Sequence, residues 1–147
     1  MTGIDPSHVM VERGHRMFPE LSLLHSSKEV LPFDDQSFDA VVACAVFTCI
    51  PSLEERAEAV AEIVRVLKPG GILHIADFCS EERAVFTLGL GVPMRYSMPG
   101  ELRELFSGFQ CFHDQVISES TMSGEDSQSY RAFFKKPLNK AIHATSA

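Results

Sequence analysis

The chain has 147 residues, room for one domain and not two at about 150 residues each. An apolar fraction of 45% excludes wholesale disorder, and a net charge of −7 argues against nucleic acid as the main partner, because phosphate-binding surfaces are basic. The longest apolar run, Ala40–Phe47, is eight residues, against about 20 for a membrane-spanning helix.

The N-terminus has no basic stretch followed by an apolar one, so no secretory signal is expected and the setting is read as cytoplasmic. Cys44, Cys49, Cys79 and Cys111 form no C-x-x-C pair. They are expected to be reduced and mostly buried thiols. No His/Cys spacing suggests a zinc site, and no metal is expected.

In chain order, residues 1–5 read as the end of a strand. Residues 6–18 read as a helix with Val9, Met10, Arg13 and Met17 near one face, and Pro6 suits its first turn. Residues 21–25 form a short apolar strand, and 28–37 a loop. Residues 38–47 are apolar nearly throughout, the mark of a strand buried on both faces. Ser52-Leu53-Glu54-Glu55 is a capping box that opens a helix. Leu53, Ala57, Val60, Ala61, Val64 and Leu67 make its expected apolar stripe. Lys68-Pro69-Gly70-Gly71 stops it, and residues 72–78 read as the next strand. Helices between buried strands imply right-handed crossovers and a largely parallel sheet.

Residues 80–97 read as irregular or weakly helical. Residues 99–109 carry Leu102, Leu105, Phe106 and Phe109 at helical spacing. Residues 110–121 and 129–136 read as an antiparallel pair, and 137–147 as a frayed tail after a domain spanning 1–136.

Three segments bear on chemistry. Asp5 closes a strand and precedes a helix, where a carboxylate either accepts ribose hydroxyls or caps the helix. Leu31-Pro32-Phe33-Asp34-Asp35-Gln36-Ser37-Phe38-Asp39 is an acidic turn that feeds a buried strand. Arg65-Val66-Leu67-Lys68-Pro69-Gly70-Gly71 is a helix stop that needs no ligand to explain it. Gly89-Leu90-Gly91 lacks a third glycine at Met94 and reads as a connection, not a cofactor loop. His74 reads as a satisfied core histidine, and His8, His15 and His25 as surface or edge residues. Cys49 has no visible base and is not expected to be a nucleophile.

In this order and spacing, "GIDPSHVMVERG", "LPFDDQSFDAVV" and "EIVRVLKPGGILHIADF" resemble the class I S-adenosylmethionine-dependent methyltransferases, in particular the small branch acting mainly on small molecules. The C-terminal "STMSGEDSQSYRAFFKK" fits that family's closing strand pair more loosely. The resemblance implies an α/β fold with a Rossmann-like, mostly parallel sheet that ends in an antiparallel strand pair. It also implies a departure. The family's first strand and its glycine-rich cofactor loop precede the ribose carboxylate, and here they are expected to be missing, leaving an N-terminally truncated sheet.

By resemblance, the cofactor is S-adenosylmethionine. Asp5 would hold its ribose, Ser27 would stand where the family often has an adenine-contacting acid, and Ala43 and Ala45 would line the methionine end. Phe47, Thr48 and Tyr96 would face a small-molecule acceptor, although core packing explains these apolar residues as well. No catalytic side chain is assigned, since methyl transfer needs chiefly alignment and exclusion of water. Three function classes stay open. The chain is a methyltransferase, or an inactive methyltransferase-like module that needs an upstream segment or a partner at its exposed strand edges, or a nicotinamide-binding half. The closing strand pair argues against the last.

Overall fold

The computed structural model describes residues 1–26, 30–87, 91–120 and 126–138. The described residues form eight strands, three α-helices and a 3-10 turn. Strand β1 (Thr2–Asp5), helix α1 (His8–Met17) and strand β2 (Ser22–His25) form a parallel βαβ unit, with Asp5 level with His25. Ser7 caps α1 by accepting the Met10 N–H at 3.3 Å. Only Val11 of α1 is buried, and Val9, Met10 and Met17 are exposed, so the face expected to carry the packing does not. The helix lies on β2 through Gly14, where an added Cβ would meet the Leu23 side chain at 2.4 Å. Its close approach, not its apolar count, selects the buried face.

Strand β3 (Phe38–Cys44), a 3-10 turn (Phe47–Cys49), helix α2 (Leu53–Val66) and strand β4 (Leu67–Cys79) follow. Ser52 caps α2 by accepting the Glu55 N–H at 3.4 Å, as the capping box requires. Its buried face is Arg56, Ala59, Ile63 and Val66, while Leu53, Ala57 and Ala61 are exposed. The expected stripe is therefore rotated, because Arg56 finds enough acceptors to be buried and brings its neighbours one and two turns on inward. β3 and β4 are parallel. Their register runs from Phe38 opposite Leu67 to Ala40 opposite Ile72, so Lys68–Gly71 bulges out of the pairing. The turn expected there survives as that bulge, with Gly70 left-handed at φ 76°.

The hairpin of β5 (Ala84–Thr87) and β6 (Pro93–Tyr96) replaces the irregular or weakly helical segment expected at 80–97. Val85, Phe86 and Tyr96 favour extended backbone, and Phe86 meets Tyr96 edge to face at 4.9 Å. Of the Gly89-Leu90-Gly91 segment, only Gly91 lies within the described residues. Helix α3 (Pro99–Glu104) ends earlier than its apolar spacing suggests and continues as tight turns to Phe109. Strands β7 (Gln110–Ser120) and β8 (Asp126–Lys135) form the expected antiparallel pair, and β8 also pairs antiparallel with β4. Most of the tail, 139–147, lies outside the described residues.

The strands form three separate ladders, β1-β2, β3-β4-β8-β7 and β5-β6. Among the described residues neither β1 nor β2 pairs with β3. The core lies on one face of the four-stranded sheet, where Ala43, Leu73, Ile75 and Phe134 meet Ile63, Leu102 and Phe106. On the other face of β3, Ala40, Val42 and Cys44 are exposed. No helix among the described residues is long and apolar enough to cross a membrane. The cysteines are free thiols, but only Cys79 is buried; Cys44 and Cys49 are exposed, against expectation, because they face away from the core.

Candidate cofactor and acceptor site

In open α/β sheets, ligands sit at the carboxyl ends of the parallel strands. At the end of β1, one Asp5 oxygen accepts the Ser7 N–H at 2.7 Å. Asp5 therefore shapes the turn into α1, and Ser7, not Asp5, is the N-cap. The other Asp5 oxygen takes no hydrogen bond among the described residues and is free to accept two from a ligand. Ser27, the expected adenine contact, lies outside the described residues. Its neighbour Ser26 donates from its hydroxyl to the Val30 carbonyl at 3.2 Å.

The backbone at the exit of β3 is closely held. Ala43 is buried in the core, and Ala45 adopts φ 51°, the left-handed region that a Cβ disfavours. Its N–H is held by the Ala76 carbonyl at 2.8 Å. This turn swings the chain into the 3-10 turn, where Asp77 takes over. The Asp77 carboxylate accepts the Phe47 and Thr48 N–H groups, each at 2.8 Å, and the Thr48 hydroxyl. Burial pushes the Asp77 carboxyl up from its ordinary value, while these three donors and the Arg56 charge oppose that rise.

Arg56, 2% exposed, donates from Nε to the Ile50 carbonyl at 2.6 Å, from Nη2 to the Phe47 carbonyl at 2.6 Å and from Nη1 to the Ser97 hydroxyl at 2.8 Å. Burial, then Arg95, lowers the Arg56 guanidinium from its ordinary value, and Asp77 and Glu101 pull the other way. The guanidinium stays charged at any ordinary pH.

The side chains of Phe47 and Thr48, expected to face an acceptor, point inward. The Phe47 ring is fully buried and lies 5.9 Å from Phe106, and Thr48 serves Asp77. Core packing accounts for both. Cys49 is the exposed residue of that turn, with its Sγ 3.8 Å from Met94 Sδ in the hairpin. Tyr96 is half-buried, stacked on Phe78 of β4 with ring centroids 6.0 Å apart. Ala43, Ala45, Phe47 and Thr48 thus share one continuous segment. Tyr96 joins it through β4, and Asp5 belongs to the separate βαβ unit.

Asp77, Arg56 and Ser97 were not singled out from the sequence. A signal existed for Asp77: it follows Leu73 and Ile75 at the strand period, so it had to face the core, where a carboxylate needs donors. The "LPFDD" and "EIVRVLKPGG" segments, by contrast, are tied to each other. Arg65 donates to the Phe33 and Leu31 carbonyls at 2.7 and 3.0 Å, to Asp35 at 2.9 Å and to Glu62 at 2.7 Å. Glu62 in turn accepts the Leu31 N–H at 2.7 Å. The most recognisable string in the sequence is thereby a brace between the loop and α2. No cluster of three metal-ligating side chains occurs among the described residues.

A family model described as a methyltransferase domain matches residues 1–75, from β1 to the first half of β4. A ubiquinone/menaquinone biosynthesis C-methyltransferase of Campylobacter jejuni is 33% identical over 84 residues, 57% of this chain and 34% of that protein. The chain therefore spans about a third of that relative's length. The crystal structure of a SAM-dependent methyltransferase from Methanosarcina mazei superposes with a TM-score of 0.82 at 20% identity, covering 93% of this chain and 82% of that one. The 1,6-didemethyltoxoflavin-N1-methyltransferase of Burkholderia thailandensis, solved with 1,6-didemethyltoxoflavin and S-adenosylhomocysteine, gives 0.70 at 16% identity, covering 92% of this chain and 60% of that one. These structures share the fold across nearly all of the chain, including the C-terminal strand pair that the family model does not reach. With the family model matching just over half of its residues, the chain belongs to the methyltransferase domain family.

Proposed function

We propose that this chain carries the site of an S-adenosylmethionine-dependent methyl transfer to a small-molecule acceptor. The observation that carries the reading is the family match over residues 1–75, which covers both strand ends that bear the candidate cofactor residues, Asp5 and Ala45. The residues fit such a group: Asp5 keeps one carboxylate oxygen without a hydrogen bond among the described residues, and Ala45 turns the chain at the end of β3. When bound, the cofactor supplies an electrophilic methyl group on a sulfonium. Asp5 would fix the ribose, Ser27 would flank adenine, and Ala43 and Ala45 would border the methionine portion through their backbone. Phe47 and Thr48 would support the acceptor wall from behind, and Tyr96 would face the acceptor. These groups hold and orient, and no side-chain base is assigned. A ubiquinone/menaquinone biosynthesis C-methyltransferase and a 1,6-didemethyltoxoflavin-N1-methyltransferase are among the relatives, and the Phe78–Tyr96–Phe86 cluster would suit an aromatic acceptor. Four free thiols fit a reducing, cytoplasmic setting.

Calorimetric titration with S-adenosylhomocysteine, beside Asp5→Ala, tests the reading. Micromolar binding that weakens at least tenfold in Asp5→Ala is expected. A well-folded chain that takes up no ligand would sink it for this chain alone. One observation favours a second reading. Among the described residues β1 and β3 keep open edges, so the chain would act as a methyltransferase-like module that binds cofactor only after another segment or partner pairs there. That reading expects no titration signal from the chain alone and concentration-dependent association in light scattering.

A further inference from the structure

Five polar or charged side chains are buried among the described residues, and Thr48, Arg56, Asp77 and Ser97 are four of them. They form one network through the Phe47 backbone, whose N–H goes to Asp77 and whose carbonyl accepts from Arg56. The network ends at Ser97, directly after the β5–β6 hairpin. That hairpin pairs with no other strand; its backbone is tied to the large sheet at Cys79–Ser97 and through the Ser80 N–H to the Ser97 carbonyl at 3.1 Å. Its side chains reach the 3-10 turn through Met94 and Cys49, and β4 through Tyr96 and Phe78.

A buried guanidinium is costly unless its donors are used, and an apolar side chain of similar volume would fill the same space without that cost. Here each of three Arg56 nitrogens reaches a different segment: the loop before α2, the turn after β3, and the end of the hairpin. We propose that Arg56 and Asp77 are positioning residues. Asp77 sets the turn after β3, and Arg56 clamps that turn to Ser97. Together they hold the hairpin, with Tyr96, against the carboxyl end of β4 as the acceptor-side wall. The acceptor role of this wall rests on the methyltransferase reading; the clamp does not.

Hydrogen exchange of the full chain, without ligand, tests the clamp. Ser97→Ala removes one hydroxyl and leaves Arg56 its two carbonyls. Exchange at least tenfold faster at 47–49, 84–87 and 94–96 is expected, with 73–78 and 129–134 unchanged. Ser97→Thr, which keeps the hydroxyl, is expected to restore protection, and Arg56→Lys, which keeps charge but loses the fork, to reproduce the Ser97→Ala pattern. Unchanged exchange in the hairpin of Ser97→Ala, or acceleration spread equally over β4 and β8, would overturn the proposal, since a merely structural role loosens the core as a whole. Failure to bind S-adenosylhomocysteine counts against the methyltransferase reading and leaves the exchange pattern to decide the clamp.

Discussion

Ala45 carries a Cβ at φ 51°, a conformation that costs an L-residue roughly 1–2 kcal/mol. It persists because the Ala76 carbonyl holds its N–H and Asp77 holds the next turn from below. Glycine removes the strain but returns about 0.5–1 kcal/mol to the unfolded chain as entropy. Ala45→Gly is therefore expected to stabilise the fold by about 1 kcal/mol or less, read as a higher urea midpoint. A lower midpoint would show that the methyl group packs usefully. Asp5 illustrates the limit of reading one residue from sequence. Its sequence offers two readings, a ribose acceptor or a helix cap; the cap is Ser7, and Asp5 spends one oxygen on the turn into α1. Asp77 and Arg56 could be read only partly. A strand period places Asp77 inward, but no sequence pattern names three donors from a turn 29 and 30 residues away.

Between elements, the brace of Glu62 and Arg65 on the 31–35 loop carries a pH signature. The Arg65 hydrogen bond holds the Glu62 carboxyl below its ordinary value, against a smaller opposing effect of burial. A depressed folded-state value stabilises the fold above the unfolded value of about 4.3, and that contribution is lost as pH falls through the folded one. Glu62→Gln is expected to lower the urea midpoint at pH 7. It should also flatten the loss of stability between pH 5 and lower values. An acid profile equal to that of the unsubstituted chain would remove Glu62 from the explanation. The same scale decides which helix faces pack. Apolar spacing favours Val9, Met10, Arg13 and Met17 in α1, and Leu53, Ala57, Val60, Ala61, Val64 and Leu67 in α2; Leu67 is buried and Val60 packs on the core, while Val9, Met10, Met17, Leu53, Ala57 and Ala61 are exposed. The burying faces were instead chosen by a close glycine contact and by a charged side chain with partners, neither of which hydrophobic periodicity can see.

At the scale of the chain, the βαβ unit of residues 2–25 packs mainly on itself, while β3, β4, β8 and β7 share one core with α2 and α3. Regions with few contacts to the main core open at lower free energy than the core itself. Both tyrosines, Tyr96 in the β5–β6 hairpin and Tyr130 in β8, lie outside that unit and there is no tryptophan, so tyrosine fluorescence does not report the βαβ unit. Urea unfolding followed by circular dichroism is expected to begin at lower denaturant than unfolding followed by tyrosine fluorescence. Coincident transitions would mean that the two parts unfold as one cooperative unit.

Length, period and caps were enough for an α/β chain, its capped α2 and its closing antiparallel pair, and the resemblance of its motifs added the methyltransferase family and the candidate strand ends. Those features follow from local spacing and from short-range chemistry, which travel with the string of residues. Tertiary structure decided the rest: that β1 and β3 do not pair, that residues 84–96 fold as a hairpin, that Phe47 and Thr48 turn inward, and that Arg56 is buried. Each of these depends on which surfaces and hydrogen-bond partners distant segments bring together, and a partner dozens of residues away leaves no local mark on the sequence that needs it.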